Sequence, residues 1–216
     1  MCYTASTSIN TFVIGLLSSL LLYLKSSNDI SLSSQISSEY KIVALFFMFV
    51  SFMQLFDYIF WTNYRNQTNK TFTKIATIVN HLQPIVLAIL IYTFSKNSSE
   101  RLSSFSKYLT YFYSIIILLY TINIWNSLEY TEVTEKSSPS LFWKWNAGEN
   151  AGFVYSVFLI TLIILFYSNL PNIGIFVSII TAMSFFLSFF KYQIQISTGR
   201  FWCYFAAFAP LIFLLL

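Results

Sequence analysis

The sequence predicts an all-α fold: a polytopic membrane protein whose single domain, residues 1–216, is a bundle of about seven transmembrane helices. Three observations carry this. Only 9% of the residues are charged while 56% are hydrophobic, against about 25% charged in an ordinary soluble domain. So few charges cannot cover a water-facing surface. The apolar residues come in long blocks, each near the ~20 residues needed to cross a hydrocarbon core about 30 Å thick. The chain is also 20% aromatic, with 24 Phe and 15 Tyr, a mixture suited to lipid contact and to the wet interface. Strands are not expected, because the apolar runs are too long and do not alternate as barrel strands do.

The candidate spans are 9–24, 41–61, 75–94, 106–125, 151–168, 172–190 and 200–216. The leader before the first, MCYTASTS, has no Lys or Arg, and no A-x-A site follows it. That span is therefore read as retained and not as a cleaved signal. Pro84 and Pro210 lie inside spans, where proline kinks a helix and frees carbonyls. Most connections are short. The longest, 126–150, holds Glu129, Glu132, Glu135 and Glu149 and a Ser-Pro stretch. No internal repeat suggests a two-fold transporter.

Seven antiparallel spans place the N-terminus and the even-numbered loops on one side, called side A. Side A carries Arg65, Lys70, Lys74, Lys136, Lys144, Lys191 and Arg200; side B carries Lys25, Lys41, Lys96, Arg101 and Lys107. This small excess leans toward side A being cytoplasmic. The net charge of +4 is spread over many loops with no basic run, so nucleic acid is not an expected partner. Two cysteines and one histidine, His81, leave no multi-His or Cys-rich metal site within one chain, and no cofactor motif appears.

The unusual residues gather on side A. A candidate pocket there comprises Cys2, Gln54, Asp57, Trp61, Asn80, His81, Gln83, Trp202 and Cys203. Ser51, Gln54, Asp57 and Trp61 recur at helical spacing and share a face. A carboxylate inside a span costs several kcal/mol, about 2.5–3.5 on insertion scales, so Asp57 should face the bundle or water. By helical rise, Asp57 lies roughly 6 Å and His81 roughly 9 Å inside the side-A end. A direct or water-bridged hydrogen bond between them is therefore expected. The plainer readings stand beside this. Asp57 can snorkel or bridge helices, and His81 can make a structural hydrogen bond. All five tryptophans (Trp61, Trp125, Trp143, Trp145 and Trp202) map to side A and read first as an interfacial belt. Lys191 and Arg200 read as interfacial anchors. Side-B loops read as plain and Ser-rich.

Met1-Cys2-Tyr3-Thr4-Ala5-Ser6, Gln54-Leu55-Phe56-Asp57 with Trp61, Gln83-Pro84, and Trp202-Cys203-Tyr204-Phe205-Ala206-Ala207 together resemble an uncharacterised multi-pass membrane protein family. Its bacterial members open Met-Cys-x-Ser-Ala, and relatives occur in protists and large DNA viruses. Thr4 for Ser, Asp57 for Glu and Gln83 for Trp depart from the family pattern. The resemblance implies no activity. It implies that Met1 is a true start, and it draws Cys2 and Cys203 together at the side-A ends of the first and last spans. A disulfide there requires side A to be oxidising, which the charge bias opposes.

No soluble catalytic signature is present. Three functions are expected, in this order. The first is binding or transport of a small solute or protons through the side-A pocket. The second is an intramembrane lipid-modifying enzyme with Asp57 and His81 as acid and base. The third is a scaffold or sensor without catalysis. The expected partners are the lipid bilayer and a small-molecule or lipid ligand.

Overall fold

The computed structural model describes residues 4–29, 32–63, 66–95, 102–129, 132–134, 140–146, 148–192 and 198–215, with backbone alone at 132–134, 140, 142, 187–192 and 198–201. The helices are α1 (Ala5–Asn28), α2 (Ser34–Thr62), α3 (Gln67–Phe94), α4 (Ser104–Ile124), α5 (Ala151–Asn169), α6 (Gly174–Tyr192), α7 (Thr198–Ala206) and α8 (Ala209–Leu215). The first five apolar helices are long and apolar enough to cross a membrane, counting α4 with the 3-10 turn that extends it to Ser127. The bundle is all-α, as the apolar blocks predicted.

Helix starts follow from capping side chains. Thr4, Ser33, Asn66 and Ser103 each accept a hydrogen bond from the backbone N–H three residues on. This satisfies a first-turn donor that the helix leaves unpaired. The caps lengthen α1, α2 and α3 beyond the sequence-read spans, because polar Ser, Thr and Asn residues continue the helix past the apolar block.

α2 is the central helix. It packs against α1, α3, α7 and α8, and its buried residues cover much of its circumference, as expected of a helix that is apolar all round. α1 meets it through a face of small residues: Ser8, Thr11, Gly15, Ser18, Ser19, Leu22 and Ser26 are buried. Small side chains let helix backbones approach closely where no hydrophobic drive separates helix from lipid. At Gly15 the approach is closest, since an added Cβ would overlap the Ser51 hydroxyl and lie 3.1 Å from the Ala207 Cβ. α4 is the least covered of the long helices. Tyr108, Tyr111, Ile115, Leu118, Leu119 and Ile122 are all exposed, which gives it the broad apolar surface of a lipid-facing helix.

Two features differ from the sequence reading. The seventh span is broken between α7 and α8 at Ala207 and Phe208. Pro210, expected to kink this span, falls in the first turn of α8, where its missing N–H is least costly. The connection 126–150 is also not all irregular. It holds a short antiparallel hairpin, Glu132–Thr134 (β1) against Ser140–Phe142 (β2), paired in the register Val133 to Leu141. A 3-10 turn, Lys144–Asn146, follows and folds back onto the bundle.

Candidate functional site

The structure brings most of the side-A residues into the bundle interior. Gln54, Asp57, Gln83, Trp202 and Cys203 are completely buried, and Asn80 and His81 nearly so. Trp61 is half-buried at the edge. Cys2 lies outside the described residues, as do the side chains of Lys191 and Arg200.

No direct hydrogen bond joins Asp57 and His81. Both imidazole nitrogens of His81 are engaged elsewhere, Nδ1 with Thr121 Oγ1 of α4 at 2.7 Å and Nε2 with the Tyr155 hydroxyl of α5 at 3.0 Å. Asp57 Oδ1 accepts from Trp143 Nε1 at 2.9 Å. Depth along consecutive helices placed the two residues at one level, but rotation about α2 and α3 sends them to different neighbours. Asp57 turns toward the connection before α5 and into the electrostatic range of Cys203 on α7. His81 turns toward α4 and α5.

The hydrogen-bond directions around His81 can be assigned from the donors available. Thr121 donates its only hydroxyl proton to the Ile117 carbonyl of its own helix, at 2.7 Å. It must therefore accept from His81, which puts the imidazole proton on Nδ1. Nε2 then accepts from the Tyr155 hydroxyl, and that hydroxyl accepts from Asn80 Nδ2 at 3.3 Å. The result is a neutral imidazole with every polar atom satisfied, in a chain that ends on a helix carbonyl. Pro84 has no N–H for the Asn80 carbonyl one turn back, so this turn of α3 is loosened. Tyr113 of α4 donates to the adjoining His81 carbonyl at 2.7 Å. A second branch runs from Gln83, whose Oε1 accepts from Trp202 Nε1 at 2.8 Å and whose Nε2 approaches Cys203 Sγ at 3.9 Å. Cys203 is a buried free thiol.

Three tryptophans read as belt residues are interior residues. Trp143, Trp145 and Trp202 are fully buried. Trp143 and Trp145 stack with ring centroids 4.9 Å apart. The Lys144–Asn146 turn, with Trp143 just before it, is pinned to the bundle end by Trp143 on Asp57 and by the Tyr120 hydroxyl, which donates to the Trp145 carbonyl at 2.6 Å. Only Trp61 and Trp125 keep a partly exposed position, and Trp125 lies under the Lys74 ammonium at 5.0 Å.

Beneath this polar end lies a layer of rings. Phe46 and Phe47 of α2 meet Phe166 of α5, Phe47 meets Trp202, Trp202 meets Phe185 of α6, and Phe185 meets Phe158, with centroids between 5.4 and 6.2 Å apart. Buried hydroxyls of Ser51, Thr161 and Thr181 turn back to carbonyls of their own helices and offer nothing to a solute.

Side B is less plain than its loops suggest. Glu39, on the first turns of α2, is 2% exposed. Its Oε2 accepts from the backbone N–H groups of Asn172 and Ile173 at 3.2 and 3.1 Å, and its Oε1 from Asn172 Nδ2 at 2.6 Å. The carboxylate thus caps the start of α6 from another helix, where the N-terminal dipole favours negative charge. It lines a small cleft with Gln35, Ser38, Ser95 and Asn169. Asn169 in turn accepts from the Ser103 N–H and donates to Ser106 Oγ.

Sequence reasoning missed Thr121, Tyr155, Tyr120 and Glu39. Tyrosine near a span end was read as an interfacial residue, and Glu39 sat inside a Ser-rich loop just ahead of span 41–61. Among the described residues no group of three or more His, Cys, Asp or Glu could hold a metal ion. No family model, curated protein or solved structure matches the chain.

Proposed function

We propose that the chain is a multi-pass integral membrane protein that binds a small polar solute at its side-A end without conducting it across. The multi-pass membrane setting and the family resemblance are part of this proposal. The observation that carries it is the polar network of Asn80, His81, Gln83, Tyr155 and Thr121, together with the Asp57–Trp143 pair. Asn80, His81, Gln83, Asp57 and Trp143 are buried at one end with Thr121 and Tyr155 half-buried beside them, and aromatic rings lie between them and the polar cleft at the other end. Networks of this kind are costly to bury and hold a site in one geometry. The ring layer argues against transport, since it interrupts the polar path. The lipid-enzyme reading is disfavoured, because Asp57 and His81 serve different neighbours and His81 has no free nitrogen for acid–base work.

The test uses the purified full chain in proteoliposomes and a panel of labelled polyols, amides, sugars and amino acids. The expected result is saturable binding of at least one class, with transbilayer flux no faster than in protein-free vesicles. Flux above that level would replace binding by transport, and no binding by any compound would overturn the reading.

A further inference from the structure

α1 gives one face to the bundle and leaves another bare. It packs against α2 and α8 through its face of small residues. On a different side, Asn10, Ile14, Leu17, Leu21 and Leu24 are all exposed. They follow one another at steps of four, three, four and three residues, which makes them a single seam along the helix. Four of the five are apolar and suit lipid. Asn10 does not. α1 has 24 residues, about 36 Å of helix by its rise. Centred on a ~30 Å hydrocarbon core, such a helix carries Asn10 about 5 Å inside the apolar region. Its side chain is too short to bring the amide back to water as a lysine would. The amide meets no hydrogen-bond partner among the described residues. Exposed polar groups elsewhere on the spans are provided for. The Thr93 and Ser156 hydroxyls turn back to carbonyls of their own helices, and Asn123 and Ser168 stand in the last turns of α4 and α5. An acyl chain offers the Asn10 amide neither a donor nor an acceptor, and an unmet amide in hydrocarbon is costly.

We propose that this seam is the docking surface for a second copy of the chain, in a two-fold dimer with α1 against α1 and the two Asn10 amides paired across the axis. Copies inserted in the same orientation meet with α1 parallel. A two-fold axis along the membrane normal then brings each residue of the seam opposite itself. A carboxamide is its own complement, because it carries a donor and an acceptor side by side. Asn10 therefore satisfies Asn10, whereas a charged residue at this place would repel its own copy. Interhelical asparagine pairs of this kind hold transmembrane helices together. The 3.5-residue step is that of a left-handed parallel pair, in which Ile14, Leu17, Leu21 and Leu24 interdigitate beyond the amides. One polar position in an apolar seam also fixes register, since sliding one helix by two turns sets both amides against apolar side chains. The dimer needs the bilayer and no bound solute, so it stands apart from the side-A network.

The experiment counts photobleaching steps of the full chain, carrying one C-terminal fluorophore, in phosphatidylcholine vesicles over a range of protein-to-lipid ratios. One step at low density should give way to two at high density, and to no more than two. Asn10→Leu should raise the density at half-dimerisation roughly tenfold, and Asn10→Gln, which keeps donor and acceptor, should restore most of the loss. A second measurement leaves Asn10 in place. In the Cys2→Ser chain, Leu17→Cys and Leu21→Cys should form disulfide-linked dimers under mild oxidation much faster than Ile115→Cys and Leu119→Cys, on the equally exposed face of α4. A chain that stays monomeric at every density, assemblies larger than two, a dimer unmoved by Asn10→Leu, or cross-linking as fast on α4 as on α1 would each overturn the proposal.

Discussion

Glu39 offers the most direct measurement of what one polar group contributes to this bundle. Replacing Glu39 by Ala removes the acceptor for three N–H groups, two from the backbone of Asn172 and Ile173 and one from the Asn172 amide. A buried donor left unsatisfied costs about 1–3 kcal/mol. Asn172 is exposed and can turn its side chain to water, so its amide adds little. The two backbone donors and the lost charge at the α6 N-terminus together give a destabilisation of about 2–4 kcal/mol. Glu39→Gln is the informative companion. Its carbonyl oxygen can occupy the Oε2 position and accept both backbone N–H groups. Its NH₂ then faces Asn172, which flips to present its own carbonyl. Only charge assistance is lost, about 1 kcal/mol. Reversible unfolding in mixed micelles, followed by tryptophan fluorescence, separates the two variants. If Glu39→Ala costs under about 0.5 kcal/mol, or if Gln is as damaging as Ala, the capping account is wrong.

Two further predictions concern side A. Trp143→Phe keeps the stacked ring but deletes the N–H on Asp57, and should cost about 1–3 kcal/mol. In an Asp57→Leu background the same change should cost almost nothing, and equal costs in both backgrounds would refute the pairing. In ¹⁵N-histidine-labelled protein, His81 should show a protonated-type Nδ1 and a deprotonated-type Nε2. Thr121→Val should shift that tautomer balance by removing the Nδ1 acceptor, and a protonated Nε2 in wild type would contradict the assigned chain.

Much of the fold was legible because lipid imposes a simple rule. A span must be apolar for about 20 residues, so block length located the helices, but not the polar first turns that Thr4, Ser33 and Asn66 cap. The gathering of polar residues was legible only in part, since Gln54, Asp57, Asn80, His81 and Gln83 share one end while Glu39, Asn169 and Asn172 gather at the other. What could not be read was rotation. One turn of α3 decides whether His81 meets α2 or α4, and an apolar helix carries too little amphipathic contrast to fix its azimuth. The tryptophans misled for a related reason. Indole suits both the interface and a buried hydrogen bond, and only the folding back of the Lys144–Asn146 turn puts Trp143 and Trp145 in the second role. Glu39 was hidden because its partners, Asn172 and Ile173, lie far away in sequence.

The ring layer formed by Phe46, Phe47, Phe158, Phe166, Phe185 and Trp202 has an electrical consequence. Set in an energised membrane, these rings add to the low-dielectric stretch of the bundle interior over which the voltage falls. Carrying one elementary charge through it would take about 2.3 kcal/mol per 100 mV on top of the solvation cost. An uncharged solute held near Asn80 and Gln83 should therefore bind equally at any membrane voltage, and the protein should not act as a leak for protons.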